Sequence, residues 1–257
     1  MPTTPAFICI GPGRTGTTWL YKMLRQHPAV WLPPLKEIRV LAEGLFYPPY
    51  SLKELVVARH WHYRLMRASL PRVFIKAVLR RESFEAFRWS LRYVLRPGAR
   101  QFSFEWYSSL FKNDGNLISG DITPEYYDLP ESRVNELSEY CRSIKIILFV
   151  RNPIERVWSE SLKVRTDDGK SKPFAGPRKE MIELFDYFFR VWTPYEKKIA
   201  LWKAYFPQVF VGRFDDLKNR PVSFWGEICD FLNIPADVPV QGLDRHVNQG
   251  TGQKNPR

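Results

Sequence analysis

The 257-residue sequence predicts an α/β fold of three layers, with helices on both faces of a central parallel sheet. Two segments carry this prediction. Residues 6–26 run from a short apolar segment through a glycine-rich turn into a helical pattern, and residues 144–150 are apolar at almost every position, as expected of a central parallel strand. Because 44% of the residues are hydrophobic, the chain can bury one core, and we expect a single domain over residues 1–257.

The other elements follow from local patterns in chain order. The apolar segment 6–10 is typical of a buried strand, and residues 17–26 place apolar side chains at helical spacing. Closely spaced prolines at 28–34 predict a loop, and charge, glycine and proline at 163–177 predict a flexible one. Further strands are expected at 116–120 and 208–214, and further helices at 153–164, 182–192, 194–205 and 222–232.

The net charge of +12 is concentrated in one part of the chain. Residues 52–100 contain twelve lysines or arginines against three glutamates, which is a local net charge of +9. Apolar residues at helical spacing predict two helices there, and aromatic residues are interleaved with the basic ones. Such a surface attracts phosphate, sulfate, carboxylate or anionic lipid.

Composition argues against several classes of protein. No apolar run approaches the roughly 18 residues of a transmembrane helix, and the first residues lack the basic region of a secretory signal, so we expect a cytoplasmic protein. Cys9, Cys141 and Cys229 are odd in number and widely spaced, which indicates buried free thiols in a reducing compartment. Cysteine and histidine nowhere stand at zinc-ligand spacing, and we expect no metal.

A phosphate-binding loop is predicted between the first strand and the first helix. Its sequence is Gly11-Pro12-Gly13-Arg14-Thr15-Gly16-Thr17-Thr18. Glycines let backbone N–H groups approach phosphate oxygens, and the helix N-terminus adds partial positive charge. The spacing from Gly11 to Gly16 matches the loop of nucleotide hydrolases, but Thr17 stands where those loops have lysine. Arg14 supplies the positive charge instead, so the loop lacks the usual equipment for γ-phosphoryl transfer.

A second phosphate site is predicted after the strand 144–150. Arg151 follows that strand directly, and Ser159 lies about two helical turns further on, so both side chains can reach one phosphate. Two phosphate sites on adjacent parallel strands suit a ligand that carries phosphate at both ends.

Both motifs resemble one enzyme family. The segment Gly13-Arg14-Thr15-Gly16-Thr17-Thr18-Trp19-Leu20 resembles the 5′-phosphosulfate-binding loop of sulfotransferases that use 3′-phosphoadenosine 5′-phosphosulfate (PAPS). Residues 151–159 are similar to the family's 3′-phosphate motif, and residues 210–217, 231–235 and 246–256 to its later segments. The resemblance covers essentially the whole chain. It implies transfer of a sulfuryl group from PAPS to a hydroxyl, with the bisphosphate PAP as product and no metal.

The resemblance also implies a role for each donor-site residue. Arg14 would stabilise the leaving phosphate, and Arg151 with Ser159 would bind the 3′-phosphate. The tail 244–257 would cover the nucleotide. The remaining predicted donor-binding residues are Thr15, Gly16, Thr17, Thr18 and Trp19 in the loop, and Gly250, Thr251, Gly252 and Lys254 in the tail.

Glu37 is the predicted catalytic base. Residues 33–41 resemble a segment of heparan sulfate and related bacterial sulfotransferases in which a glutamate is the base and a histidine follows two residues later. Arg39 replaces that histidine here. Lys36 and Arg39 flank the carboxylate, which favours its ionised form and lowers its basicity. Residues 104–107 and 120–127 resemble the same subgroup, and they make Arg39, Trp106 and Asp121 the predicted acceptor-binding residues.

Histidines offer a different base. Cytosolic small-molecule sulfotransferases use a mid-chain histidine between the two phosphate motifs, and the mid-chain histidines here are His60 and His62, without a matching motif. His27 precedes a proline at a helix end, where a structural role is expected.

Two other functions would each explain part of the sequence. A P-loop nucleotide or sugar kinase would need lysine at position 17 and an acidic residue to hold magnesium, and neither is evident. A polyanion or membrane-surface binder would explain the basic stretch, but no nucleic-acid motif is present, so we expect no nucleic acid as partner. The expected partner is an acceptor with a hydroxyl group, whether saccharide, lipid or natural product. Residues 52–100 would be the acceptor-side insertion of the resembled family or would touch a membrane surface, and the oligomeric state is left open.

Overall fold

Five parallel strands form the centre of the protein. The computed structural model describes residues 4–42, 88–89, 93, 103–112, 115, 117–164, 182–183, 185–186, 189 and 194–244, with side chains at 160–164 excepted. The strands pair in the order β2-β3-β1-β4-β5, and every pairing is parallel. Their bounds are Phe7–Gly11 for β1, Val30–Trp31 for β2, Ile118–Ile122 for β3, Lys145–Val150 for β4 and Val209–Arg213 for β5.

Helices connect the strands and cover the sheet. Those in the described residues are α1 (Thr17–Leu24), α2 (Phe104–Ser109), α3 (Glu131–Tyr140), α4 (Pro153–Val164), α5 (Tyr195–Tyr205), α6 (Phe214–Asn219) and α7 (Pro221–Leu232). Short 3₁₀ turns lie at Val40–Ala42 and Pro124–Asp128. Because parallel strands need long crossover connections, this alternation of strand and helix is what builds the sheet.

Two hydrophobic cores lie on opposite faces of the sheet. Side chains alternate along β1, so that Ile8 and Ile10 belong to one core and Phe7 and Cys9 to the other. The first core includes aromatic residues from α2 and α5, and the second is closed by apolar faces of α1 and α7. Every residue of β1 is buried, as a strand covered on both faces must be. The predicted three-layer α/β class is confirmed.

The boundaries of the predicted elements agree to within two residues for most of the sheet. The strand predicted at 116–120 lies at Ile118–Ile122. The prediction of a loop throughout 28–34 was wrong at Val30–Trp31, which pairs with β3 as an edge strand. A strand of two residues is too short to show an alternation of polar and apolar residues, so no sequence pattern predicted β2.

Some predicted segments fall outside the described residues. These are most of the basic stretch 52–100, the loop residues 165–177, and the tail beyond Asp244. Residues 163–164 of the predicted loop belong to α4. Arg88, Trp89 and Tyr93 are described, and Trp89 and Tyr93 are buried in the first core with stacked rings 5.2 Å apart.

The three cysteines are free thiols, as predicted, but they are not equally buried. Cys9 and Cys229 are fully buried, and burial raises the pKa of each thiol to about 12. The prediction of a buried thiol was wrong for Cys141, which is half-buried at the end of α3, with its Sγ 3.5 Å from the hydroxyl of Thr4.

Candidate active site

The glycine-rich loop lies where β1 meets α1. The backbone at Gly11 and Gly16 has positive φ of 89° and 103°, and a Cβ at Gly11 would lie 2.6 Å from the Cα of Pro124. Only glycine fits both requirements at position 11. Gly16 is also the N-cap of α1 and has no side chain to cap the helix. The first-turn N–H groups are therefore not satisfied by a side-chain cap, which is the geometry of an anion site.

Two arginines contact this loop, Arg151 directly after β4 and Arg156 in α4. Arg156 Nε donates a hydrogen bond of 3.1 Å to the carbonyl of Gly13, and Arg151 Nη1 donates one of 3.1 Å to the carbonyl of Arg14. The C=O and N–H groups of one trans peptide point in opposite directions. The N–H groups of Arg14 and Thr15, which share peptides with these carbonyls, therefore point away from the arginines.

The two predicted phosphate motifs come into direct contact. β1 and β4 are neighbours in the sheet, which brings the residues that follow them to one edge. Arg14 Nε donates a hydrogen bond of 2.9 Å to Ser159 Oγ. The backbone of Arg14 has φ of 66°, a left-handed conformation that is uncommon outside glycine. Arg14 and Ser159, expected at opposite ends of the donor, are therefore bonded to each other in this structure.

Arg151 is held on two sides. Its guanidinium lies 4.3 Å from the ring centroid of Phe214, and it pairs with Glu155 at 3.1 Å one helical turn along α4. The ring and the carboxylate orient a planar group that can form two parallel hydrogen bonds to a phosphate. Asn152 caps the start of α4 by accepting from the N–H of Ile154 at 3.0 Å.

Three loop residues have side chains that are largely used inside the protein. The hydroxyl of Thr15 donates to the carbonyl of Pro12 at 2.6 Å, and Thr17 is buried. The ring of Trp19 belongs to the second core, and its Nε1 donates to the carbonyl of Leu243 at 3.0 Å. A contact of Trp19 with a bound nucleotide is therefore limited to its backbone in this structure.

The predicted base lies between two cations. Lys36 Nζ is 2.7 Å from Glu37 Oε1, and Arg39 Nη2 is 3.1 Å from Glu37 Oε2. Lys36 Nζ also donates to the hydroxyl of Thr18 at 3.2 Å, which connects the base segment to the first turn of α1. Lys36 was not among the predicted binding residues, although its position next to Glu37 was a usable signal.

A second carboxylate, that of Glu125, joins the group formed by Lys36, Glu37 and Arg39. Glu125 lies in the 3₁₀ turn after β3, and its Oε1 accepts from Arg39 Nε at 2.8 Å and lies 2.6 Å from Arg39 Nη2. The pKa of Glu125 is raised by burial and by the nearby charge of Glu37, against the opposing effect of Arg39. No sequence pattern indicated a role for Glu125.

Asp121 and Trp106 lie beside this group rather than on an open surface. Asp121 is 1% exposed, and its two oxygens accept from the hydroxyls of Tyr107 at 3.0 Å and Thr123 at 2.7 Å. Burial raises its pKa to about 6, and the hydrogen bonds oppose the shift. Asp121 was expected in the wall of the acceptor site, but its side chain is buried and is not on an exposed surface. Trp106 is partly buried, 6.1 Å from the ring of Tyr93.

His27 has a structural position, in agreement with the sequence-based expectation. It is 2% exposed, its Nδ1 accepts from the N–H of Ala29 at 3.1 Å, and its Nε2 is 2.9 Å from the carbonyl of Pro235. An Nδ1 that accepts leaves the proton on Nε2. The other predicted histidines, His60 and His62, and the tail residues Gly250, Thr251, Gly252 and Lys254 lie outside the described residues.

Within the described parts of the chain, no group of three or more His, Cys, Asp or Glu side chains could hold a metal ion. None of the helices described there is long and apolar enough to cross a membrane.

The fold and the loop together define an α/β protein with the geometry of an anion site at the carboxyl edge of a parallel sheet. The sequence model of the sulfotransferase family matches residues 5–238, and the chain belongs to the sulfotransferase family. Membership identifies it as a transferase of sulfuryl groups in general and sets aside the kinase and the polyanion binder as the primary function.

Three solved structures share the fold. The sulfotransferase from Alicyclobacillus acidocaldarius is 19% identical with a TM-score of 0.60, over 96% of this chain and 87% of that one. The sulfotransferase domain from the curacin biosynthetic pathway is 19% identical with a TM-score of 0.61, over 98% and 82%. The sulfotransferase domain of the Synechococcus PCC 7002 olefin synthase is 19% identical with a TM-score of 0.55, over 91% and 74%. A search of curated proteins returned no significant match.

Proposed function

We propose that the protein transfers a sulfuryl group from PAPS to the hydroxyl of a small or polymeric acceptor, with Glu37 as the base. The observation that carries the proposal is the bridge made by Lys36, which contacts both the Glu37 carboxylate and the Thr18 hydroxyl at the start of α1. This bridge holds a carboxylate next to the loop that suits a 5′-phosphosulfate, as an in-line transfer requires.

The proposed reaction is a direct displacement at sulfur. The acceptor hydroxyl gives its proton to Glu37 as its oxygen bonds to sulfur, and the bond between sulfur and the bridging phosphate oxygen breaks. The products are the sulfate ester and PAP, and the proton stays on Glu37 until solvent removes it. Negative charge develops on the departing phosphate oxygen, where Arg14 and Lys36 are the nearby cations among the described residues.

The proposed donor site uses both motifs. The N–H groups at the start of α1, with Thr17 and Thr18, would hold the 5′-phosphate, and Arg151 with Ser159 the 3′-phosphate. Because Arg14 is bonded to Ser159 in this structure, donor binding would exchange that hydrogen bond for two contacts to phosphate. Lys254 and the tail glycines would cover the nucleotide.

The acceptor is proposed to be a saccharide, a lipid or another natural product with a hydroxyl group. Arg39 and Trp106 would line its site, and the basic stretch 52–100 would form its rim. A cytoplasmic location is part of the same proposal.

The test combines donor binding with transfer. The purified chain should bind PAP in titration calorimetry and should add SO₃ to at least one member of a panel of sugars, phenols and alcohols, measured by mass spectrometry. Arg14→Ala should lower the turnover by roughly 10²- to 10³-fold, the scale of losing one contact to transition-state charge.

The matched control is Arg25→Ala, which removes an exposed arginine at the other end of α1. Its turnover should equal that of the wild type. Full activity of Arg14→Ala, no binding of PAP, or transfer that strictly requires magnesium would each contradict the proposed mechanism.

A further inference from the structure

Glu125 contacts the same guanidinium group as the proposed base, that of Arg39. The guanidinium of Arg39 contacts Glu37 Oε2 at 3.1 Å through Nη2, and it contacts Glu125 Oε1 through both Nε and Nη2 at 2.8 and 2.6 Å. One arginine thus joins two carboxylates from different parts of the chain, 88 positions apart in number, with the shorter contacts made to Glu125.

The position of Glu125 is set by the phosphate loop. Glu125 follows Pro124, whose Cα would lie 2.6 Å from a Cβ at Gly11, so the turn that carries it packs directly against the end of β1. Among the described residues, no hydrogen-bond partner meets the buried Oε2 of Glu125. A buried polar atom normally has a hydrogen-bond partner, and one without a partner calls for an explanation such as a functional role.

The two positive charges of Lys36 and Arg39 are matched by two negative charges only when Glu125 is counted with Glu37. Lys36 and Arg39 both contact Glu37, and two cations on one carboxylate would make it a weak base. Glu125 shares the charge of Arg39 and adds a nearby negative charge, which raises the proton affinity of Glu37. The contact with Arg39 favours the ionised form of Glu125 itself.

Backbone geometry indicates that this group is held in place. Glu37 and Arg39 both have left-handed backbones, with φ of 63° and 59°. Such conformations cost roughly 1–2 kcal/mol for a residue that is not glycine and persist where surrounding contacts impose them. Lys36 contacts this segment at Glu37, Glu125 contacts it at Arg39, and the hydroxyl of Tyr93 donates to the carbonyl of Ile38 between them at 2.9 Å.

We propose that Glu125 is a positioning residue that acts through Arg39 to orient Glu37 and to keep it basic enough to accept the acceptor proton. The inference rests on the proposed role of Glu37. The inference goes beyond that role because the basicity of Glu37 is set by Glu125, a carboxylate that does not touch the reacting atoms.

The charged groups near Glu37 and Glu125 include Lys36 and Arg39 from the base segment and Asp121 from β3. The shift in the pKa of Glu125 is in line with this placement, because the charge of Glu37 is among the causes that raise it.

The test is the full chain with Glu125→Gln, which keeps the shape and an oxygen that can accept from Arg39 but removes the charge. PAP release from PAPS is measured against pH with water alone and with the acceptor found in the panel. We expect kcat to fall about three- to tenfold, since a base with a lower pKa accepts a proton less readily. The acidic limb of the kcat/KM profile should move to lower pH by roughly half a unit to one unit.

A second variant separates charge from structure. Arg39→Gln removes the cation and leaves Glu125, so its acidic limb should move to higher pH, and the double variant should lie between the two single variants. Affinity for PAP and Tm should stay at the wild-type values in Glu125→Gln. Glu136→Gln is the matched control, because it removes an exposed glutamate paired with Arg133.

Two results would overturn the inference. One is a Glu125→Gln profile identical to the wild type in kcat and in its acidic limb. The other is a loss of Tm and PAP affinity with an unmoved limb, which would mean that Glu125 only supports the fold. Failure of the proposed function is distinguishable, because it would appear as full activity in Glu37→Gln or as no transfer by the wild type.

Discussion

Residues with left-handed backbones that are not glycine are uncommon in proteins, and three of the four in the described residues lie in the candidate site. Arg14, Glu37 and Arg39 have φ between 59° and 66°, and each has its side chain in a hydrogen bond of the site. The fourth, Asn233, is the C-cap of α7, an ordinary place for such a residue. Strain of this kind is retained where it orients side chains for chemistry.

Arg151 is expected to discriminate donors at its 3′ end. Arg151→Ala should weaken binding of PAP about tenfold to a hundredfold, the scale of one charge-assisted contact to phosphate. The wild type should use PAPS better than a donor without the 3′-phosphate, and this preference should disappear in Arg151→Ala. Steady-state kinetics with both donors measures the preference.

Arg213→Ala is the control for this change, since Arg213 is an exposed arginine at the end of the neighbouring strand β5. It should bind PAP as the wild type does. If Arg151→Ala still distinguished the two donors fully, the 3′-phosphate would be bound elsewhere.

Protonation of Asp121 makes the free energy of unfolding depend on pH, and a variant at this position can measure that contribution. Its folded-state pKa of about 6 is above the ordinary value of 3.8, so the folded state binds the proton more tightly than the unfolded state. The contribution to stability is therefore greatest below pH 3.8, falls as pH rises to about 6, and is constant above that. Asp121→Asn should remove this dependence.

Chemical denaturation of both proteins between pH 4 and pH 7 measures the effect. The stability of Asp121→Asn relative to the wild type should improve with rising pH, by up to about 3 kcal/mol for a shift of roughly two pKa units. Lost hydrogen bonds from Tyr107 and Thr123 add a destabilisation that does not vary with pH in this range. A difference between the proteins that is flat across the range would contradict the raised pKa.

At the scale of elements, α4 is the support of the phosphate loop. Arg156 is 2% exposed, bonded to the Gly13 carbonyl, and lies 5.6 and 5.9 Å from the rings of Tyr127 and Tyr195. A buried arginine in these surroundings connects the helix to the loop and also fills space beside the rings.

Arg156→Ala should therefore weaken PAP binding and lower the free energy of unfolding by roughly 2–4 kcal/mol, the range for losing a buried charged hydrogen bond with its packing. Calorimetric titration and denaturant unfolding measure the two effects. Arg142→Ala, an exposed arginine after α3, serves as control and should change neither. A variant with reduced stability but unchanged PAP affinity would show that the loop keeps its shape without this contact.

At the scale of the whole molecule, the uneven charge predicts how the acceptor arrives. Most of the stretch 52–100 lies outside the described residues, so its role as the acceptor rim stays a prediction from the sequence. If it steers an anionic acceptor, the acceptor KM should rise steeply with ionic strength, because exposed charges are screened beyond roughly 8–10 Å.

Reversing Arg80 and Arg81 to Glu should raise the acceptor KM and leave PAP affinity unchanged. The control for net charge is to reverse the charges of Lys197 and Lys203 together, since both are exposed on α5. Steady-state kinetics over a salt series distinguishes the pairs. A KM that stays flat in salt and in the Arg80/Arg81 variant would make the stretch an ordinary solvated surface.

The sequence by itself determined the fold class, the phosphate loop and the position of the second motif. These features are local or periodic: β1 and β4 are apolar at nearly every position, and the loop needs its glycines within a few residues of each other. The strand β2 and the helices α2, α3 and α6 were not predicted. The strand has two residues and α2 and α6 have six each, which is too short to show a period, and polar residues dominate α3. A single sequence reveals only those features that residues close together in the chain encode.

Only the tertiary structure decided how the parts of the site are joined. Arg14 meets Ser159 across 145 positions, Arg156 meets the Gly13 carbonyl across 143, and Arg39 meets Glu125 across 86. No propensity or spacing reports such contacts, because they depend on the order of strands in the sheet and on the turns at its carboxyl edge. Burial of Asp121 and Trp19 was decided in the same way, since a polar or aromatic residue shows its environment only after the layers have packed.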